Sequence, residues 1–96
     1  MMPPFSVRTS PRFDRLAEAL TRRHSDFPTR YDRAREILGH DPYNRTRQHH
    51  IKKLEGIPAD AGQWRLSLGR FRFRYDIASP EVLLVYCGLR REDTYR

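Results

Sequence analysis

The sequence predicts an α+β fold in which two N-terminal helices pack on one face of a small, twisted, mostly antiparallel sheet. Three observations lead to this prediction. The chain has 96 residues, enough for one thin core. Its first 40 residues contain two segments with helical periodicity, and its last third alternates as strands do. We therefore expect a single domain over residues 1–96, with three or four strands after the helices and β-α-α-β-β-β as the simplest order.

The N-terminal segment predicts a strand followed by a helix. Residues 5–9 alternate apolar and polar side chains, which is typical of a short strand with one buried face. Ser10-Pro11 is a typical helix start, with an N-cap followed by proline in the first turn. Apolar residues then recur at positions 13, 16, 17 and 20, so a helix to about His24 can bury one stripe.

A second helix is predicted directly after the first. Phe27-Pro28 is expected to break the chain between the two helices. Residues 29–38 repeat the apolar spacing, and Gly39 is a plausible C-cap for this helix. Two adjacent amphipathic helices of this kind would form a hairpin.

The remainder of the chain predicts loops and strands. Residues 41–48 have no periodicity and are expected to form a loop, and residues 56–62 a turn. Short strands are predicted over residues 50–54, 64–68, 71–77 and 82–87. The last of these is continuously apolar, as a central strand buried on both faces would be.

Two of these strands predict a hairpin with an aromatic face and a basic face. Side chains alternate along a strand, so Phe71, Phe73 and Tyr75 share one face. The opposite face then carries Arg65, Ser67, Arg72 and Arg74. Like charges on neighbouring strands repel unless an anion joins them, which favours a ligand here. The alternative is a solvated face whose charge is offset by acidic residues such as Asp76.

The charge balance points to a polyanion or an acidic partner. Lys and Arg number 19 against 12 Asp and Glu, which gives a formal net charge of +7. All of these cations except Lys52 and Lys53 are arginines. Arginine suits phosphates because its guanidinium is planar and permanently charged. A genome rich in G and C would produce the same bias toward arginine. Composition therefore does not distinguish codon bias from phosphate binding, and the placement of the arginines has to do so.

Several functional classes lack their residues in this sequence. Cys87 is the only cysteine and lies in an apolar run, which predicts a buried thiol and no internal disulfide. The four histidines lack the spacing of metal ligands, so we expect neither a metal nor another cofactor. No phosphate-binding glycine loop, serine nucleophile elbow or apolar run of membrane length is present. We expect a cytoplasmic protein that does not bind membranes.

The C-terminal residues add a second basic cluster. Arg90 and Arg91 follow the last predicted strand, and Tyr95 comes shortly after them. A tail that curls over the basic sheet face would bring Tyr95 near Arg72. The alternative is a frayed basic tail.

Three segments carry a resemblance to a known family. They are Lys52–Gly56 (KKLEG), Gln63–Tyr75 (QWRLSLGRFRFRY) and Gly88–Arg96 (GLRREDTYR). In this order, and with the β-α-α-β-β-β arrangement, they resemble the RelE/ParE superfamily of toxins from bacterial type II toxin–antitoxin systems. The likeness covers nearly the whole chain from Phe5 onward.

The resemblance implies an endoribonuclease. Members of the RelE branch cleave mRNA in the ribosomal A site without a metal, and the 2′-hydroxyl of the RNA attacks the adjacent phosphate. Carried over by position, the catalytic candidates are Arg72, Arg90, Arg91 and Tyr95. The RNA-binding candidates are Lys52, Lys53, Arg65, Ser67 and Arg74. Ser67 stands where some members have a lysine, which leaves the general base open between Tyr95, Lys52 and a neighbouring histidine.

The resemblance also implies partners and leaves rival functions. A cognate antitoxin with an acidic, partly disordered segment would cover the basic face, and the toxin would contact mRNA and ribosomal RNA. Operator DNA would be bound only through the antitoxin. One alternative is a ParE-like inhibitor of DNA gyrase without nuclease activity. Another is a non-catalytic module that binds nucleic acid or an antitoxin.

Overall fold

A computed structural model describes residues 3–90 of the chain. Within these residues it has helices α1 (Pro11–Arg23) and α2 (Phe27–His40) and one five-stranded sheet. Its strands are β1 (Ser6–Thr9), β2 (Ile51–Lys53), β3 (Trp64–Leu68), β4 (Phe71–Ala78) and β5 (Glu81–Leu89). The sheet order is β1-β5-β4-β3-β2, with β1 parallel to β5 and the other neighbours antiparallel. The predicted α+β class is confirmed, with four strands after the helices.

Helix α1 begins where its capping residues predict. The Ser10 hydroxyl oxygen accepts a hydrogen bond from the Phe13 amide at 3.0 Å, and Pro11 occupies the first turn. Phe13, Ala17 and Leu20 are buried along one stripe. The helix is 13 residues long and α2 is 14, and no helix in the described part of the chain is long and apolar enough to cross a membrane.

Helix α2 differs at both ends from its prediction. It spans Phe27–His40, so Pro28 lies in the first turn, where a missing N–H costs no helical hydrogen bond. Gly39 lies inside the helix and is not its C-cap. The N-terminal segment crosses it closely: a Cβ at Gly39 would lie 3.3 Å from Pro3 Cβ, and its carbonyl accepts the Phe5 amide at 3.0 Å. A side chain at position 39 would therefore press against Pro3.

The core lies between the helices and one face of the sheet. Phe71, Phe73 and Tyr75 of β4 are fully buried on that face, as the alternation predicts. The Phe27 ring of α2 stacks on Phe73 at 5.8 Å and meets Phe71 edge-on at 5.2 Å. The Tyr75 hydroxyl donates to the Pro42 carbonyl at 2.7 Å, and burial raises the pKa of this phenol. The phenol is thus a structural group of the core.

Strand β5 is central but is not buried on both faces. Val82, Leu84 and Cys87 point into the core and are buried, whereas Leu83 on the other face is 36% exposed. Its apolar run predicts a second covering layer, but neither helix packs on that face. Cys87 is buried as expected, and burial raises the pKa of its thiol to about 12.

Candidate functional site

The outer face, defined as the sheet face opposite the helices, carries the basic side chains. In the register of β3 and β4, Arg65 lies opposite Arg74 and Ser67 lies opposite Arg72. These pairs alternate with the buried pair Leu66 and Phe73. The predicted division into an aromatic face and a basic face is therefore confirmed.

A loop covers half of the outer face. We call residues 54–62, which join β2 to β3, the cover loop. Arg74 reaches it with two hydrogen bonds, from Nε to the Gly62 carbonyl at 3.1 Å and from Nη2 to the Ala61 carbonyl at 2.9 Å. Arg74 is only 8% exposed. The sequence predicts that Arg74 binds RNA, whereas in the structure its guanidinium binds the cover loop.

Asp76 and Gly62 hold the end of the cover loop against the sheet. The Asp76 carboxylate accepts the amides of Gly62 and Gln63 at 2.9–3.2 Å. Gly62 has a φ of +81°, and a Cβ there would lie 2.9 Å from Val85 Cγ2 and from Arg74 Cβ. Only glycine fits this approach without a shift of its neighbours. The charged side chains of Arg74 and Asp76 therefore bind the backbone at the end of the cover loop.

The other half of the outer face forms an open cavity of about 600 Å³. It extends across β2, β3 and β4 to the end of β5, where the Arg90 amide donates to the Arg70 carbonyl at 2.8 Å. We call it the basic cavity; it is lined by His49, His50, Ile51, Lys52, Arg65, Ser67, Gly69, Arg72 and Arg90. Among the described residues that line it, four are Lys or Arg and none is a carboxylate. Such a surface attracts an anion.

The cavity brings together five of the predicted site residues, namely Lys52, Arg65, Ser67, Arg72 and Arg90. Lys53 does not line it. Its ammonium group lies 5.6 Å from the centre of the Trp64 ring, its neighbour across the strand pair. Arg91 and Tyr95 lie outside the described residues, so their catalytic roles stay predictions.

His49 and His50 also line the cavity; the sequence predicts a histidine here only as one alternative for the general base. His50 could have been found, because a residue two positions before Lys52 in an extended segment shares its face. Its carbonyl accepts the Ser67 amide at 2.9 Å, which continues the β2–β3 pairing. The face on which His49 lies could not be predicted in this way, because the loop before β2 has no periodicity.

Side chains of the loop before β2 fix the position of His49. We call residues 41–50 the histidine loop. Asn44 binds the His49 backbone on both sides: its Nδ2 donates to the His49 carbonyl at 3.0 Å, and its Oδ1 accepts the amide at 3.1 Å. The Asp41 carboxylate accepts the Arg45 amide at 2.7 Å and the Thr46 hydroxyl at 2.6 Å. The loop is therefore ordered without regular secondary structure.

Asp41 remains a carboxylate despite its burial. Burial alone would raise its pKa, but hydrogen bonds from the Thr46 side chain and from the Arg45 and Thr46 amides outweigh this effect and hold the pKa below its ordinary value. Asp41 Oδ2 lies 3.9 Å from Nε2 of His49. A buried negative charge therefore stands beside an imidazole of the basic cavity.

The arrangement suits the binding and reaction of a phosphate diester. Guanidinium groups form paired hydrogen bonds to phosphate oxygens and stabilise charge that develops on them. Arg72 lies on β4 and Arg90 directly follows β5, while Arg65 lies on β3 opposite Lys52 of β2. Within residues 3–90, no three His, Cys, Asp or Glu side chains lie together as metal ligands would.

Comparison with known proteins gave no significant match to any family model, curated protein or solved structure. The chemistry of the site therefore rests on the chain's own residues.

Proposed function

We propose that this protein is the toxin of a bacterial type II toxin–antitoxin system and a metal-independent endoribonuclease that cuts mRNA in the ribosomal A site. One observation carries the proposal. The outer face gathers Lys52, Arg65, Arg72 and Arg90 around one open cavity, and none of the lining side chains within residues 3–90 is a carboxylate. Neighbouring strands bring these cations close together, and a sugar–phosphate backbone offers several negative charges for them to bind.

The proposed reaction uses the 2′-hydroxyl of the RNA as nucleophile. Its oxygen attacks the adjacent phosphorus, and the bond from phosphorus to the 5′-oxygen breaks. Arg72 and Arg90 stabilise the additional negative charge on the phosphorus oxygens in the transition state. Arg65 and Lys52 bind the flanking backbone, and the Ser67 hydroxyl donates to a phosphate oxygen.

Two further residues enter the proposal through the family resemblance. Arg91 would assist Arg90 at the phosphate, and Tyr95 would move a proton. The partners follow from the same surface, because an antitoxin that blocks it has to bring negative charge. We propose an antitoxin that covers this surface with an acidic, partly disordered segment. The antitoxin would also supply the contacts to operator DNA. Because ribosomes and mRNA are its proposed targets, we propose that the protein acts in the cytoplasm.

The test is expression of the protein in bacteria that lack an antitoxin. The ends of mRNA molecules are then mapped separately in the ribosome-bound and ribosome-free fractions. We expect growth arrest and new mRNA ends on translated messages. Arg72→Ala should lower the cleavage rate of the purified protein about 100- to 1000-fold, as removal of an oxyanion-directed donor does. It should also abolish growth arrest while the circular dichroism spectrum stays that of the wild type.

Arg15→Ala is the matched control. Arg15 is an exposed arginine of α1 outside the cavity, so this variant also loses one positive charge and should arrest growth as the wild type does. A fully toxic Arg72→Ala protein would contradict the proposal. Double-strand DNA breaks with intact messages would indicate a gyrase inhibitor, and normal growth would indicate a binding module.

A further inference from the structure

His49 contacts the basic cavity and a buried carboxylate, and the proposed function gives it no role. Its side chain is 16% exposed and lines the cavity together with Arg65 and Arg72. Its Nε2 lies 3.9 Å from Asp41 Oδ2. An imidazole that lines a substrate cavity and has a carboxylate within ion-pair distance is suited to activate a hydroxyl nucleophile.

The histidine loop holds both partners of this pair in place. Asn44 fixes the His49 backbone with two hydrogen bonds, and it adopts a φ of +57° to do so. The Asp41 carboxylate accepts three hydrogen bonds from the Arg45 amide and from the amide and hydroxyl of Thr46. Reacting groups on a loop need such support to keep a productive geometry.

The proposed reaction requires a group that accepts the 2′-hydroxyl proton. Ammonium and guanidinium groups carry no lone pair for it, which excludes the charged forms of the four lining cations. Within residues 3–90, the remaining lining side chains with a strong acceptor atom are those of Ser67, His49 and His50. Imidazole is the usual base at neutral pH, and His49 is the one with Asp41 within ion-pair distance.

We infer that His49 is the base that accepts the proton of the attacking 2′-hydroxyl and that Asp41 is its positioning residue. The inference rests on the proposed function. As the 2′-oxygen bonds to phosphorus, its proton passes to the imidazole. The departing 5′-oxygen takes a proton from water by way of Tyr95, which is the proton that Tyr95 moves in the proposed function. The products are a 2′,3′-cyclic phosphate and a 5′-hydroxyl, and the imidazolium then returns its proton to the resulting hydroxide. Asp41 stabilises the imidazolium while it exists.

The first test is single-turnover cleavage of ribosome-bound mRNA by the purified protein. His49→Ala should lower the rate about 100-fold or more, as loss of a general base does. Its affinity for RNA with 2′-O-methyl groups, which cannot react, should change less than about threefold. Because the cavity is open, added imidazole should restore part of the lost rate. His40→Gln, which removes an exposed histidine of α2 outside the cavity, is the control and should cleave at the wild-type rate.

The second test separates positioning by Asp41 from its support of the loop. Asp41→Asn should lower the cleavage rate about tenfold in the wild type but cause no further loss in His49→Ala. Thr46→Val keeps the carboxylate and removes one of its hydrogen bonds, so it should keep most of the rate.

Three results would overturn the inference. They are cleavage by His49→Ala at the wild-type rate, a loss that imidazole does not restore although 2′-O-methyl RNA still binds, and an equal effect of Asp41→Asn in both backgrounds. If the wild-type protein cuts no message, the proposed function itself fails and the inference fails with it.

Discussion

Arg72 and Arg74 lie two residues apart on the same strand and the same face, yet their surroundings differ. Arg72 lines the basic cavity, whereas the guanidinium of Arg74 is buried against the cover loop. Strand alternation predicts the shared face but assigns both arginines the same role. The difference comes from the path of the cover loop across the outer face, and no periodicity in residues 54–62 encodes it.

Arg74→Ala should destabilise the protein. It removes two hydrogen bonds from a charged donor to carbonyl groups, and such losses typically cost about 1–3 kcal/mol. The free energy of unfolding in urea should fall by about this amount. Arg15→Ala, at an exposed helix position, should change it by no more than about 0.5 kcal/mol.

The same variant separates the structural role of Arg74 from the RNA-binding role that the sequence predicts. At a temperature where it remains folded, Arg74→Ala should bind 2′-O-methyl RNA with an affinity close to that of the wild type. A variant of full stability with greatly weakened RNA binding would instead support the sequence-based assignment.

Elements with a clear period could be predicted from the sequence, and elements held by individual side chains could not. Helix α1 and strands β3 and β4 follow their apolar spacing and the Ser10 cap. The predicted start of α2 at residue 29 was wrong, since the helix begins at Phe27. Proline breaks a helix in its interior but fits its first turn, where Pro28 lies. The histidine loop depends on hydrogen bonds of Asp41 and Asn44 to residues that only the fold brings near. The placement of His49 beside Asp41 therefore could not be predicted from the sequence.

The histidine loop should make stability depend on acid through Asp41. The pKa of this carboxyl is below its ordinary value of 3.8 in the folded protein. An acid with a lower pKa in the folded state contributes stability above its unfolded pKa, and this is lost as the pH falls through the folded pKa. Asp41→Asn should therefore be less stable than the wild type at pH 7, and the difference should shrink below about pH 4. Urea unfolding at a series of pH values measures it.

Asn44→Ala is the control for this prediction. It breaks the contacts of the same loop to the His49 backbone without removing a carboxyl group. Its loss of stability relative to the wild type should not change between pH 7 and about pH 3. A constant difference for Asp41→Asn over the same range would show that its carboxylate does not stabilise the folded state as a charge.

At the scale of the whole molecule, the net charge of +7 is unevenly distributed. Several arginines on the helices and the sheet edge pair with carboxylates, as in Arg22 with Glu18, Arg33 with Glu36 and Arg8 with Glu81. The basic cavity gathers four cations, and the part of the chain that the structure describes contributes no carboxylate to its lining. The exposed Arg–Glu pairs contribute little to stability. Their opposite charges largely cancel, so these pairs attract an approaching polyanion only weakly. The field that attracts RNA should therefore be strongest at the cavity.

This distribution predicts the salt dependence of RNA binding. For single strands, log K falls with log salt with a slope of about −0.7 per phosphate neutralised, so four cavity cations give about −3. Binding of a 2′-O-methyl RNA at several salt concentrations should show this slope. Arg65→Ala should reduce its magnitude by about 0.7 and Arg15→Ala should leave it unchanged. If both variants reduce the slope equally, RNA binds to the general positive charge of the molecule and the cavity is not its site.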